Sequence, residues 1–253
     1  MISGFRRSEW FSQRLGSGVE STLHVYSGRH KLWPISDPRL SPDDERVAVE
    51  TQNPERGQAD VWICDLTRGS ALRITSDNVN IRPIWSNDGQ HVIYYKGAPT
   101  ETGQIISAPI DGGPSTALTS EAVFPDSVSP DDKFLIGNSG GDIAGAGGRT
   151  VSILSIQDTP SSGSNSRVLD LKFAGTDAQF SPDGKFIAYQ SRETGRPEIY
   201  VRAYPGPGGK TTISTEGGIE PQRRTLLQKQ RQDNGRRDPD LAGVSRGQAE
   251  GPL

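Results

Sequence analysis

The chain has 253 residues, enough to bury a sizeable core in one large domain or two modest ones, and only 32% of them are hydrophobic, which points to a loop-rich protein. Its single cysteine, Cys64, excludes an internal disulfide framework and any multi-cysteine metal site. The net charge of −3 is uneven: residues 1–35 and 223–253 carry +3 each, leaving −9 on residues 36–222, an acidic body that argues against a nucleic-acid surface.

In chain order, residues 1–35 match no pattern found later, although GVESTLHVY (18–26) reads as one outer strand. No run approaches the roughly 18 apolar residues of a membrane span. The start, MISGFRRSEWFSQRLGSG, lacks the apolar segment of a secretory signal, so the chain as written reads as cytoplasmic.

From residue 36 one ten-residue phrase recurs: LSPDDERVAV from Leu40, WSNDGQHVIY from Trp85, VSPDDKFLIG from Val128 and FSPDGKFIAY from Phe180. The serines are Ser41, Ser86, Ser129 and Ser181, at spacings of 45, 43 and 52 residues. Two Gly/Ser-rich stretches, GGDIAGAGGRT and QDTPSSGSNS, lengthen the last unit and read as surface loops.

Each unit carries four strand signals. The first ends just before the serine. A turn follows, in which proline presets one backbone angle, Asp or Asn accepts local hydrogen bonds, and Gly takes a left-handed conformation. Asp44 and Asp132 replace that glycine, which Asp tolerates at modest cost. The second strand (RVAVE, HVIYY, FLIGN, FIAYQ) has consecutive apolar residues, the mark of a strand covered on both faces. The third is DVWICDL, QIISAPI, VSILSI or EIYVRAY; it places Cys64 in an apolar run, as a small buried hydrophobe. The fourth (ALRIT, STALT, SRVLD, TTIST) is half polar and suits an exposed edge.

Four strands per unit of about 45 residues describe a blade of a β-propeller. Gly and Pro total 48 residues and no amphipathic helical stretch appears, so helical and leucine-rich solenoids are excluded. The fold class is therefore all-β, a β-propeller of about four four-stranded blades over residues 36–222, in an incomplete ring whose open edges invite self-association. A fifth unit is due after GGIEPQ, but the chain reads Arg223-Arg224 and then a basic stretch with no aromatic residue. Residues 223–253 read as a tail that is disordered or foreign to the repeat.

SPDGKFIAY, EIYVRAY, TTIST and GGIEP together resemble the TolB-type propeller repeat. Arg196 to Pro221, RPEIYVRAYPGPGGKTTISTEGGIEP, resembles more narrowly the propeller at the C-terminal end of certain bacterial serine/threonine protein kinases. The same repeat forms the substrate-filtering propeller of prolyl oligopeptidases. The resemblance implies a binding module: the sensor or scaffold part of a larger signalling protein, extracytoplasmic if that protein is a membrane-tethered kinase. It also admits a peptidase gate or a stand-alone TolB-like binding protein.

There is no kinase glycine-rich loop, catalytic-loop Asp or Asp-Phe-Gly, and no G-x-S-x-G elbow. GPGGKTT (206–212) mimics a phosphate loop, but a strand rather than a helix follows. Asp43 to Glu45 lack calcium-loop spacing and read as turn residues, and His91 reads as a strand residue. No catalytic residue, metal ligand or cofactor is expected. The interaction site expected instead is the mouth of the central channel. Asp37, Arg82 and Asp177 stand four residues before their serines, Pro125 takes that place in the third unit with Asp126 beside it, and Glu220 stands there in the broken unit. The expected partner is a protein or peptide, or a cation.

Overall fold

The computed structural model describes residues 26–27, 30–31, 35–53, 58–77, 79–97, 103–119, 121–139, 150–156, 171–206, 208–214 and 217. Two short strands, β1 (Tyr26–Ser27) and β2 (His30–Lys31), pair only with each other. Tyr26, the end of the expected outer strand, thus belongs to a separate two-stranded sheet, and residues 18–25 lie outside the described residues.

Four antiparallel sheets follow, each a four-stranded meander. The first blade is β3 (Ile35–Leu40), β4 (Arg46–Asn53), β5 (Gln58–Asp65) and β6 (Ala71–Arg73). The second is β7 (Asn80–Trp85), β8 (His91–Lys96), β9 (Gln104–Pro109) and β10 (Thr116–Thr119). The third is β11 (Val123–Val128), β12 (Phe134–Ser139), β13 (Thr150–Ser155) and β14 (Leu171–Ala174), and the fourth β15 (Thr176–Phe180), β16 (Phe186–Ser191), β17 (Glu198–Ala203) and β18 (Lys210–Thr212). One expected strand is displaced. SRVLD (166–170) lies outside the described residues, and the strand pairing with β13 is Leu171–Ala174.

The repeated phrase is a hydrogen-bonded device. Each buried serine donates through Oγ to the aspartate two residues on, at 2.5 to 2.6 Å in all four turns. The same hydroxyl accepts the backbone N–H of Arg46, His91, Phe134 or Phe186 at 2.9 to 3.0 Å. The turn is thereby closed on the first residue of the second strand, which fixes the register of the hairpin.

The blades stack in series. Residues six and eight after the serine face the preceding blade, and the residue seven after it faces the next. Trp85, Val92 and Tyr94 pack on Ala48, Val61 and Ile63 of the first blade. Val128 and Leu135 meet Ile84, Ile93 and Ile105; Phe180, Ile187 and Tyr189 meet Ile136, Val151 and Ile153. This explains the unbroken apolar runs: both faces of each second strand are buried. At the two ends the pattern has no partner blade among the described residues. Val47, Val49 and Cys64 cluster only with side chains of the first blade, and Ala188 and Val201 only with Phe186. The four sheets do not close into a ring among the described residues.

Candidate functional site at the inner strands

The first strand of each blade packs against its neighbours and lines the axis of a propeller. All four carry a bulge at one place, where two of their residues stand opposite one of the next strand. The register shifts fall between Ser36 and Arg39, Ile81 and Ile84, Pro125 and Ser127, and Thr176 and Gln179. Asp37, Arg82 and Asp177 sit at this bulge with φ of 46°, 54° and 55°, in the left-handed region. Such a bulge normally takes glycine; an L-residue there carries strain of roughly 1–2 kcal/mol. In the third blade Pro125 cannot adopt positive φ, because its ring fixes φ near −65°.

Three of the residues expected at the mouth come together. The Arg82 guanidinium lies 3.6 Å from Asp126 Oδ1 and 5.6 Å from the centre of the Phe124 ring. Asp126 is buried, its residue only 8% exposed. Its Oδ2 accepts Asn138 Nδ2 at 3.0 Å and the Ala178 backbone N–H at 3.2 Å. Burial pushes the Asp126 carboxyl up from the ordinary 3.8 to about 6; the Asn138 hydrogen bond and the Arg82 charge oppose that rise, and the Asp177 charge adds to it. Asp126 is thus a strut between blades, bonded to its own blade through Asn138, to the fourth through Ala178 and to the second through Arg82.

Asp37 stands on the same bulge of the first blade and is half-buried. Glu220 lies outside the described residues. Glu50 and Asn138 were not anticipated. Both stand nine residues after their serines; Glu50 is 4% exposed and accepts the Arg82 backbone N–H at 3.2 Å. The available signal was a charged or amide side chain closing an otherwise apolar strand, as in Val47-Ala48-Val49-Glu50. Glu50 and Asp126 are buried and bonded between blades, so the half-buried Asp37, Arg82 and Asp177 are the charged groups left to meet the charged ends and side chains of a peptide.

Other expected features fall in place. Lys210 of the phosphate-loop mimic opens β18, bonds Glu193 at 2.6 Å and lies 4.8 Å from the Tyr200 ring. His91 is the first residue of β8, and Cys64 is buried, which pushes its thiol up to about 11.

No protein-family model matches the chain, and no curated protein matches it. Solved structures do. TolB from Acinetobacter baumannii aligns with a TM-score of 0.57 and 21% identity, over 75% of this chain and 45% of that one. A putative TolB from Agrobacterium tumefaciens gives 0.58 and 16%, over 74% of this chain and 65% of that one. A chain of the nidogen/laminin complex gives 0.55 and 12% identity, over 75% of this chain and 66% of that one. At these identities the likeness shows the fold alone: the chain is an all-β propeller segment whose structural neighbours include TolB. It spans less than two thirds of the length of either TolB chain.

Proposed function

We propose that the chain is a non-catalytic, protein- or peptide-binding propeller module, the sensor or scaffold part of a larger bacterial signalling protein of the serine/threonine kinase type. The observation that carries the binding role is the set Asp37, Arg82 and Asp177, three charged residues held left-handed at one position of three inner strands. Left-handed backbone at non-glycine residues is a recurrent feature of functional sites. The kinase context rests on the sequence resemblance of Arg196 to Pro221.

The test is a selection of displayed peptides on the purified chain, run in parallel on an Asp37→Ala/Asp177→Ala double variant, which leaves the Arg82–Asp126 contact in place. Peptides retained by the wild type and lost by the variant, at equal melting temperature, support the site. Equal retention by both moves binding elsewhere.

A second reading has one observation in its favour. A puromycin-hydrolysing peptidase from Mycobacterium tuberculosis aligns with a TM-score of 0.54 and 12% identity, over 77% of this chain and 32% of that one. The chain would then gate a hydrolase domain carried on the same polypeptide. A G-x-S-x-G elbow encoded downstream decides for it, and a kinase domain with a membrane span encoded upstream decides against it.

A further inference from the structure

Among the described residues three arginines face a buried acid, and one of the three pairs is made differently. Arg73 donates to Asp60 at 2.5 Å and Arg196 to Glu198 at 2.8 Å, both within hydrogen-bond length. A hydroxyl completes each of these acids: Thr75 donates to Asp60 at 2.9 Å and Ser214 to Glu198 at 2.6 Å. Arg82 instead stands 3.6 Å from Asp126 Oδ1, an ion-pair distance too long for a hydrogen bond. Both hydrogen bonds to Asp126, from Asn138 and from the Ala178 N–H, go to Oδ2. Oδ1 is buried and accepts no hydrogen bond among the described residues. Negative charge on that oxygen is therefore balanced by Arg82 across a gap and by no donor in contact.

The Arg82 backbone is fixed while its side chain is not. Its φ of 54° belongs to the bulge, and its N–H donates to Glu50 of β4 at 3.2 Å. The guanidinium is 22% exposed, so it meets both Asp126 and solvent. Few charged groups face the Asp126 carboxyl. β7 brings Arg82 and β15 brings Asp177, whereas β12 brings the uncharged Asn138. β8 and β9 meet β11 through Tyr95 and Ile105. Burial raises this carboxyl, which changes charge at a pH of about 6.

We propose, on the reading of the bulge as a peptide-binding site, that Asp126 is a proton-operated counter-ion that decides whether Arg82 can hold a carboxylate of the ligand. The cationic groups of the same peptide meet Asp37 and Asp177. With Asp126 ionised, an arriving carboxylate finds Arg82 already balanced and the Asp126 and Asp177 charges close by. Once Asp126 takes a proton from solvent, Arg82 loses its inner counter-ion and the peptide carboxylate takes that role. The coupling runs both ways: a carboxylate bound at Arg82 favours the protonated form of Asp126.

The test selects displayed peptides at pH 5.5 and at pH 7.5, on the wild-type chain and on Asp126→Asn. On the wild type, Asp and Glu should be enriched in the peptides retained at pH 5.5. On the variant, which carries no charge at this place, they should be enriched at both values. A synthetic peptide from the pH 5.5 pool should bind the wild type about five-fold or more tightly there than at pH 7.5. Equal affinity at both values, or a response that survives in Asp126→Asn, would overturn the proposal. A readout without ligand is the Arg82 Nε–H resonance, assigned by its loss in Arg82→Lys. It should move with a midpoint at a pH of about 6 in the wild type and stay still in Asp126→Asn. A flat profile in the wild type defeats the switch. Peptides that Asp37→Ala/Asp177→Ala still retains defeat the binding site instead, so the two failures are told apart.

Discussion

Arg82 and Asp126 form a contact between the second and third blades in which the cation is 22% exposed and the carboxylate 2%. An ion pair so lopsided is dominated by the burial of one partner. The Asp126 carboxyl, raised to about 6, is fully protonated in the folded state below the ordinary 3.8, and its ionisation weakens the fold as pH rises through 6. Relative to acid pH the cost at pH 7.5 is about 3 kcal/mol. Asp126→Asn should therefore melt higher than wild type at pH 7.5, with the gap closing by pH 4. Because other carboxylates, Asp43 and Asp131 among them, shift downward, the quantity to follow is the difference between the two profiles. Parallel profiles would show that Asp126 does not titrate in this range.

The turn serines give a second expectation. Ser181 is fully buried, donates to Asp183 and accepts the Phe186 N–H. Ser181→Ala leaves that N–H without its partner and should cost about 1–3 kcal/mol in urea unfolding. Ser70→Ala, at an exposed loop hydroxyl, should be neutral. Equal effects would mean that the turn is held by its backbone alone.

Gly137 stands opposite the third bulge, where other blades have Val49, Tyr94 or Tyr189. A β-carbon there would lie 2.2 Å from the Phe124 carbonyl oxygen and 2.8 Å from Val123 Cγ1. Gly137→Ala should lose on the order of 3 kcal/mol. Gly206→Ala, with nothing within 4 Å, should change little. A well-folded Gly137→Ala of normal stability would contradict the close approach of β11 to β12.

Asp37 offers a gain. Glycine at φ of 46° removes the left-handed strain, so Asp37→Gly should stabilise the chain by ~1 kcal/mol in chemical denaturation. If a selected peptide then binds more weakly, the strain belongs to the binding surface. A destabilised variant would show that the Asp37 side chain has a structural partner.

Much of this architecture is written in local chemistry. The Ser-x-Asp phrase encodes a closed turn, and the runs Val47-Ala48-Val49 and Ile187-Ala188-Tyr189 encode strands buried on both faces, so blade number and strand order follow from them. β14 escaped because its signal, LKFA, follows a long insert, and pairing depends on where that insert lets the chain return. The inner-strand bulge was half legible. Spacing from the serine located Asp37, Arg82 and Asp177, but a charge does not announce whether it faces solvent or a neighbouring blade. Asp126 proved to be a buried strut for that reason, and Glu50 was hidden among valines.

Among the described residues each blade leans only on the one before and the one after, and its four strands are joined in simple sequence. Stability in such a stack is a sum of blade terms and junction terms, as in a row of dominoes rather than a vault. The first and fourth blades each share one described junction; the second and third share two. Amide hydrogens of β8 and β12 should therefore outlast those of β4 and β16 in exchange with heavy water, so that the molecule opens from its ends inward.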